Sequence, residues 1–354
     1  MGGDYGSFVD YIFEDLSKDF EEYTSIGYPA NFACKLQTIA DAGEIIISKR
    51  IYDRVPSLNR TTIKPIDSSR QNKIYSKYPD LGNVAYIVKS SERNDFYNNL
   101  NESFLFESIN NKRIDYQHYF DVATAIADKT NIGDMDVIEP NKLDFKNWNI
   151  RKSAKFNAAV VFADVRDFTR KFNSDGSNLN SMSTITKNVL GCMYSNCKKN
   201  FGVHVQFQGD REFAFFDGDS IQFAVLFALR LRSEISKLCD GIEVGIGINY
   251  GQVYASQIGI ESEENNIEKQ NIMLGETIKE ANKLEDECAN KGEVVISNAV
   301  YNLVSSNRNI KSLFTKRDYY WVTKSTFVDY SKLSTNSEYN KNRNQSTYKP
   351  WNQR

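Results

Sequence analysis

The sequence predicts an α+β fold in which helices pack on a mostly antiparallel sheet. Segments with helical spacing of apolar residues alternate with strand-like segments along residues 156–332, and two pairs of strand-like segments lie close enough in the chain to form hairpins. The chain has 354 residues, of which 40% are hydrophobic and 25% charged, as is typical of globular proteins with a packed core. This length is enough for two domains of ~150 residues each.

The elements of residues 156–332 follow one another in a regular order. An apolar strand and a helix lead to a first predicted hairpin, and a second helix leads to a second predicted hairpin. A third helix and a strand complete the pattern, which is ferredoxin-like. The predicted elements are strand 156–164, helix 177–199, strands 203–208 and 211–216, helix 220–237, strands 242–249 and 252–258, helix 275–288 and strand 293–297.

Part of this pattern occurs twice in the chain. Residues 271–304 and residues 23–55 each contain a glycine, a helix with the motif Ala-x-Lys-Leu, a glycine turn, an apolar strand, a serine and a short helix that ends in valine. Chance similarity is the alternative, but the order and lengths of the elements agree and favour an internal repeat. The similarity extends to two further pairs of segments, residues 4–8 with 249–253 and residues 86–90 with 321–325.

The repeat predicts the domain organisation. We expect residues 151–332 to form a complete domain and residues 1–90 to form a partial copy, the second half of the same fold. Residues 91–150 are polar and rich in asparagine and are predicted to be a linker with a helix at residues 115–127. Residues 333–354 lack apolar spacing and are predicted to be a disordered tail.

Composition excludes several classes of function. A net charge of −2 gives no basic field that would attract nucleic acid or an anionic membrane, so neither is an expected partner. Five cysteines without a C-x-x-C pair, together with two histidines, argue against a zinc site. No secretory signal is evident, and the longest apolar run, residues 223–229, is too short to span a bilayer, so a cytoplasmic location is expected.

Two acidic motifs are the best candidates for chemistry. In VVFADVRDFT (160–169) a buried strand ends in Asp164, and in VQFQGDR (205–211) Asp210 follows a glycine at the turn of the first predicted hairpin. Carboxylates on neighbouring strands can hold two divalent ions ~3.5–4 Å apart. A single acid at a strand end often caps a helix or pairs with a lysine instead, but the order and spacing of the two motifs favour a metal site.

These motifs resemble those of a known enzyme family. The segments FADVRDFT (162–169), FQGDREFAFF (207–216), VGIGINYGQVYASQIG (244–259) and GETIKEANKLE (275–285) are similar to the class III adenylate/guanylate cyclase domain across its full length. Among these enzymes the chain most resembles the pyrimidine (uridylate and cytidylate) cyclases of bacterial Pycsar antiphage systems, because of the lead-in at 148–152 and the QGDR, NYG and AxKL sequences. Residues 27–36 are similar to the G-x-P-x-N-x-A-x-K-L stretch of the same family.

The resemblance implies a two-metal mechanism with Mn²⁺ or Mg²⁺. Asp164 and Asp210 match the two metal aspartates of the family, and Val165 would offer its backbone carbonyl to one ion. The 3′-hydroxyl of a nucleoside triphosphate would attack the α-phosphorus in line, and pyrophosphate would leave. Such phosphoryl transfer depends on positioning and charge stabilisation.

The same resemblance implies a base pocket that is unusual for the family. Gln206 stands where adenylate cyclases have Lys and guanylate cyclases Glu, and Ile272 stands where many adenylate cyclases have Asp. Phe162 lies where the family lines the base, and Arg166 and Arg211 complete the candidate substrate-binding residues. A neutral, smaller pocket favours a pyrimidine, whereas an ordinary exposed strand residue is the alternative interpretation of Gln206.

Two lysines take the places of the family's catalytic helix residues. Lys279 stands at the ribose-orienting Asn, and Lys283 stands at the transition-state Arg; solvated surface lysines are the alternative. The partial copy has Asn31 and Lys35 at the corresponding positions. Residues 1–90 would therefore complete a pseudo-symmetric site, or they are the remnant of a longer protein.

The expected function is a pyrimidine nucleotide cyclase that converts UTP to 3′,5′-cyclic UMP in antiphage defence, where the product would activate a separate effector protein. The alternatives are a cytidylate cyclase, a purine cyclase, and a nucleotide-binding pseudocyclase without turnover. Since sites of this class form between two copies of the domain, we expect a homodimer or an intramolecular pairing of cyclase-like domains.

Overall fold

The computed structural model of the chain divides into two compact units. The first unit comprises Met1–Thr124 and Asp167–Thr184, and the second comprises Ala125–Arg166 and Ile185–Arg354. The residues that the structure describes are 1–14, 21–55, 60, 63–77, 85–88, 153–172, 176–218, 221–238, 241–261, 267–304 and 307–323. The predicted domain boundaries at residues 90, 150 and 332, the helix at 115–127 and the tail at 333–354 lie outside them.

The first unit contains a small mixed sheet, a two-stranded sheet and short helices. Strands β2 and β3 pair with each other, and the other four strands form a sheet in the order β1-β4-β6-β5, in which only β1 and β4 are parallel. The elements are β1 (Gly2–Gly3), β2 (Val9–Glu14), β3 (Glu21–Ile26), α1 (Tyr28–Gln37), β4 (Ile45–Ile47), α2 (Lys49–Tyr52), β5 (Ile63–Pro65), α3 (Ser68–Lys77), β6 (Tyr86–Val88) and α4 (Phe168–Lys171).

Helix α1 buries one face against this sheet. It follows Gly27 and has Pro29 in its first turn, where a backbone N–H is not needed. Its buried residues are Tyr28, Pro29, Phe32 and Leu36, and the last three recur every three or four positions, as expected of an amphipathic helix. With Ile46 of β4 they belong to the core of the unit.

The second unit contains an eight-stranded sheet with helices packed on it. Seven strands follow the order β13-β14-β12-β10-β7-β9-β8, and β11 pairs with the outer part of β10. All pairs are antiparallel except β10 with β12. The elements are β7 (Ala154–Val165), α5 (Leu179–Lys199, of which residues 185–199 belong to this unit), β8 (Val203–Phe207), β9 (Arg211–Asp217), α6 (Ile221–Leu238), β10 (Val244–Glu261), β11 (Ile267–Leu274), α7 (Glu276–Lys283), β12 (Val294–Ser297), α8 (Asn298–Val304), α9 (Arg308–Ser312), β13 (Phe314–Arg317) and β14 (Tyr320–Thr323).

Strand β7 lies inside this sheet, between β9 and β10. Its middle residues are buried, as expected of a strand that is covered on both faces. Phe156, Val160 and Phe162 project to one face, where they cluster with Phe213 of β9 and Ala281 of α7. The α+β fold and the predicted strand 156–164, first hairpin and helix 220–237 are confirmed, with ends that differ by one to two residues at most sites.

The second predicted hairpin is wrong. Instead of strands 242–249 and 252–258, β10 runs without interruption and forms its hairpin with β11, which the sequence analysis missed. Gly251 lies between the two predicted strands, but in the structure it is inside β10, and a Cβ at this position would be 2.7 Å from Oγ1 of Thr277 on α7. Glycine in a strand here marks close backbone approach. No helix among the described residues has the length and apolar character to cross a membrane.

The first unit has the same strand arrangement as the second half of the second unit. Its order β1-β4-β6-β5 corresponds to β10-β12-β14-β13, with the same directions of pairing. In the parallel pair Gly2 is the Cα partner of Ile46, and Gly247 is the Cα partner of Val295. Ile46 and Val295 occupy corresponding places in segments 23–55 and 271–304, and Gly2 and Gly247 each lie two residues before the matching segments 4–8 and 249–253.

Gly2 and Gly247 also share an environment. A Cβ on Gly2 would overlap the carbonyl oxygen of Ala33 and the backbone nitrogen four residues later on α1. A Cβ on Gly247 would overlap the carbonyl oxygen of Ala281 and the backbone nitrogen four residues later, beyond the end of α7. In both units a helix therefore packs directly on the backbone of a strand.

The two units differ by one residue after this helix. Gly43 follows Leu36 by seven positions, whereas Gly292 follows Leu284 by eight, and both glycines have positive φ angles, 81° and 69°. Within this interval α7 continues as a π turn, Leu284–Cys288. A π turn holds one residue more than an α-helical turn, so it accommodates the extra residue.

Candidate functional site

Asp164 and Asp210 lie at one end of the sheet of the second unit. Asp164 is the Cα partner of Arg211, and Asp210 immediately precedes Arg211 at the turn between β8 and β9. Gly209 makes this turn with a φ of 73°. The side chain of Asp164 is 24% exposed, and both aspartates are accessible in part. The β7–β9 register therefore brings the two acidic motifs to neighbouring strands.

Arg166 connects Asp164 to a buried acid. Its Nη1 is 3.8 Å from Oδ2 of Asp164, and its Nη2 is 2.5 Å from Oε1 of Glu285. Nη2 also donates to the backbone carbonyl of Glu285. Gly245 makes room for this arginine, since a Cβ on Gly245 would overlap the guanidinium group.

Arg211 reaches the same acid from the neighbouring strand. Its Nη2 donates to Oε2 of Glu285 and to Oδ1 of Asn282 on α7. Its guanidinium carbon lies 4.4 Å from the centre of the Phe162 ring, and Phe162 stacks on Phe213 at 4.6 Å. Phe162 is only 3% exposed. The ring is thus part of the core and contacts Arg211 through its face.

Glu285 lies in the π turn, and its side chain is 1% exposed. Burial raises the pKa of this carboxyl group to about 7, and the negative charge of Asp164 acts in the same direction, whereas Arg211 and Arg166 lower it. Glu285 and the two arginines thus form a charged cluster beside Asp164.

Gln206 and Ile272, the candidate base contacts, lie on two strands that contact each other, β8 and β11. Both side chains are half-buried. Gln206 is the Cα partner of Phe213 and follows an irregularity in the pairing of β8 with β9. Phe213 is also the Cα partner of Phe162, so it lies between Gln206 and Phe162 in the order of the strands.

The structure does not bring Lys279 and Lys283 to Asp164. Lys279 is 74% exposed and pairs with Glu276 at 3.2 Å, while Nζ of Lys283 lies 5.6 Å from the centre of the Tyr319 ring. Each lysine follows a buried residue of α7 by two positions, which is about 200° around a helix. Both lysines consequently lie on the side of α7 opposite to the face that packs on the sheet.

Asn31 and Lys35 lie four positions apart on α1 in the first unit, and both are half-buried. Measured from the glycine before each helix, they correspond to Lys279 and Lys283. Their role in a site that contains Asp164 stays a prediction.

Glu285 and Asn282 are site residues that the sequence analysis missed. Glu285 follows the buried Ala281 by four positions, so helical spacing alone assigns it to the packed face of α7. A carboxylate on such a face requires cationic partners. Arg166 and Arg211 were available as candidates, but no sequence pattern connects them to Glu285.

Solved structures of nucleotide cyclases resemble this chain. The adenylyl cyclase CyaB from P. aeruginosa is 20% identical, with 49% of this chain and 97% of that chain covered and a TM-score of 0.41. The guanylate cyclase domain of RhGC from Catenaria anguillulae in complex with GTP is 21% identical, with 48% and 97% covered and a TM-score of 0.40.

A third solved structure is similar over more of the chain. A class III adenylyl cyclase-like ATP-binding protein from Pseudomonas aeruginosa is 16% identical and has a TM-score of 0.54. The similarity covers 85% of this chain and 61% of that chain, and it shows a shared fold. No curated protein matches the sequence.

The family model of the adenylate and guanylate cyclase catalytic domain matches residues 150–331. These residues are about half of the chain and contain Asp164, Asp210 and Glu285. Class III cyclases generally use two divalent metal ions. The chain belongs to the family of adenylate and guanylate cyclase catalytic domains.

Proposed function

We propose that the protein is a pyrimidine nucleotide cyclase that converts UTP to 3′,5′-cyclic UMP and pyrophosphate and signals in antiphage defence. The observation that carries the cyclase activity is the pairing of Asp164 with Arg211, since it sets two aspartates and two arginines at one edge of the sheet. Such a group of carboxylates and cations suits a metal-bound triphosphate.

Asp164 and Asp210 would hold the two divalent ions, and the backbone carbonyl of Val165 would contact one of them. The described residues contain no group of three or more His, Cys, Asp or Glu side chains placed for a metal. A site with two carboxylates is sufficient for Mg²⁺ or Mn²⁺, because these ions are commonly bound by one or two carboxylates together with substrate phosphates. When bound, the ions would lower the pKa of the 3′-hydroxyl and neutralise phosphate charge.

The residues of the chain would position the substrate. Asp164 and Asp210 orient the metal-bound triphosphate, and the guanidinium groups of Arg166 and Arg211 add positive charge at the same edge. The 3′-oxygen forms a bond to the α-phosphorus, the bond from the α-phosphorus to the bridging oxygen breaks, and pyrophosphate leaves with that oxygen. The proton of the 3′-hydroxyl passes to solvent.

Gln206 and Ile272 support a pyrimidine substrate. Neither carries the charge with which purine cyclases of the family read the base at these positions, and both are half-buried on contacting strands. Because Phe162 is buried, we infer that it acts on the substrate by holding Arg211 and not as an exposed wall of the base pocket.

A second cyclase-like copy would complete the site. Lys279 and Lys283 lie on the side of α7 opposite to the face that packs on the sheet, so catalytic help from this helix position would come from another copy. A homodimer would supply Lys279 and Lys283, and intramolecular pairing would supply Asn31 and Lys35. The cyclic product would act on a separate effector protein.

The proposal is tested by incubating purified protein with Mn²⁺ and each of the four nucleoside triphosphates and identifying cyclic products by mass. Cyclic UMP is the expected product, and cyclic CMP alone would assign the cytidylate activity. Cyclic AMP or cyclic GMP alone would refute the pyrimidine assignment. Tight nucleotide binding without any product would favour a catalytically silent pseudocyclase. The exposed Lys279 in place of the family's Asn supports this alternative hypothesis.

A further inference from the structure

The best-buried acid near Asp164 is not one of the proposed metal ligands. Glu285 is 1% exposed, and each of its carboxylate oxygens contacts a different guanidinium group, Oε1 that of Arg166 and Oε2 that of Arg211. Both arginines are themselves mostly buried, with side chains 15% and 18% exposed. Glu285 therefore connects Arg166, which directly follows β7, to Arg211, the first residue of β9.

Local structure directs Glu285 to this position. It is the second residue of the π turn Leu284–Cys288, which accommodates the one extra residue of the second unit. The corresponding residue of the first unit is Gln37, the last residue of α1, which is uncharged and exposed. The buried carboxylate is thus a feature of the unit that carries Asp164 and Asp210.

Stability alone does not explain this cluster. A buried ion pair or triad is often no more stabilising than apolar residues of the same volume. In addition, the Nε atoms of Arg166 and Arg211 are buried and make no hydrogen bond to the residues that the structure describes. Oε1 of Glu285 likewise makes no hydrogen bond there, and its contact with Arg166 is an ion pair. Buried donors without partners are uncommon in folded proteins, and functional sites are one place where they occur.

Asp164 lies close to the arginines that Glu285 holds. Nη1 of Arg166 is already 3.8 Å from Oδ2 of Asp164, and Arg211 is the Cα partner of Asp164. Without Glu285, both guanidinium groups would lose their common partner, and the carboxylate of Asp164 is already close to Arg166. A guanidinium paired with Asp164 would compete with a divalent ion for the same oxygens.

We propose that Glu285 is a positioning residue, which holds Arg166 and Arg211 beside Asp164 so that neither arginine displaces a divalent metal ion from that carboxylate. This inference rests on the proposed two-metal site. Loss of the Glu285 charge is expected to weaken metal binding more than nucleotide binding, because Asp164 then pairs with an arginine while the positive charge available to the triphosphate remains.

The test measures metal and nucleotide dependence separately in the full-length protein. For Glu285→Gln we expect the Mn²⁺ concentration for half-maximal turnover to rise about tenfold or more, with a change in KM for the nucleotide of less than about threefold. Glu285→Asp keeps the charge, so its Mn²⁺ concentration for half-maximal turnover should lie between that of Glu285→Gln and that of the wild type. The matched control is Glu287→Gln, the same chemical change at an exposed position of the same π turn, which should alter neither constant.

Mn²⁺ binding without turnover gives a second readout. Free Mn²⁺ is measured by electron paramagnetic resonance during titration of wild type, Glu285→Gln, Glu285→Asp and Glu287→Gln, with circular dichroism to verify folding.

If the wild type turns over no nucleotide, the proposed function fails, but weaker Mn²⁺ binding by Glu285→Gln still supports the role of Glu285. A folded Glu285→Gln that binds Mn²⁺ as the wild type does overturns the inference, as does a wild type that binds no Mn²⁺. If Glu285→Gln does not fold, Glu285→Asp decides in its place, since its shorter side chain should weaken the arginine contacts and the binding of Mn²⁺.

Discussion

The backbone of Gly247 on β10 packs directly against the backbone of Ala281 on α7, with no side chain between them. A methyl group on Gly247 would overlap the carbonyl oxygen of Ala281, and neither backbone can move freely. Gly247→Ala is therefore expected to lower the free energy of unfolding by about 1–3 kcal/mol, as for other overpacked sites. Urea unfolding at equilibrium measures this change.

Gly191 provides the control for this prediction. It lies within α5, and a Cβ there would have no neighbour within 4 Å. Gly191→Ala should raise the free energy of unfolding by about 0.5–1 kcal/mol, because alanine is the better helix former. Equal effects of the two substitutions would contradict the close packing of α7 on β10.

Asp210→Asn is expected to lower kcat by at least ~100-fold, since the substitution removes a charge from both proposed metal positions. Steady-state turnover with saturating Mn²⁺ measures the effect. Asp286→Asn is the control, because Asp286 is exposed on the π turn. A loss of less than about tenfold in Asp210→Asn would mean that the catalytic metals bind elsewhere.

Gln206→Glu is expected to shift the ratio of kcat/KM for GTP to that for UTP by about tenfold or more in favour of GTP. The reason is that the family reads guanine with Glu at this position, and the strand already carries a polar side chain there. Competition between the two nucleotides in one reaction measures the ratio. Gln208→Glu makes the same change at an exposed position two residues further along and should leave the ratio unchanged.

Glu293 predicts a pH dependence of stability. Burial opposes its ionisation, but hydrogen bonds from Arg317 and Asn290 together lower the pKa of this carboxyl group below its ordinary value of 4.5. The folded state thus favours the charged form, so the contribution is present above pH 4.5 and is lost as the pH falls through the lower folded pKa.

Glu293→Gln tests this contribution. The substitution should lower the free energy of unfolding by about 1 kcal/mol at pH 7 and by much less in strong acid. Urea unfolding at both pH values measures the difference. Glu287→Gln should change neither value. A wild-type advantage that is the same at both pH values would show that the ion pair with Arg317 is not the cause.

Most of the fold follows from the apolar pattern of the sequence. The buried run of β7 and the turn at Gly209 suffice to predict neighbouring strands that end in Asp164 and start after Asp210. The pattern failed at Gly251, because a glycine that permits close packing looks the same in a sequence as a glycine that makes a turn.

The candidate site was predictable only in part. Adjacent strand ends identify Asp164 and Asp210, but the burial of Phe162 under Arg211 depends on side-chain packing that spacing does not reveal. Glu285 depends on a helix–sheet contact and on a π turn, and local propensity predicts neither. Comparison of the two repeated segments does detect the extra residue.

The π turn is the place where the two repeated segments differ in length. A single codon gained in one copy, or lost from the other, is enough to produce the difference, because the turn absorbs the change between Leu284 and Gly292 and leaves the flanking helix and strand in their common arrangement. The two helix ends also differ in charge, since Gln37 is uncharged and exposed whereas Glu285 is a buried acid between two arginines. A change in the length and charge of this helix end is therefore compatible with an unchanged order of the strands.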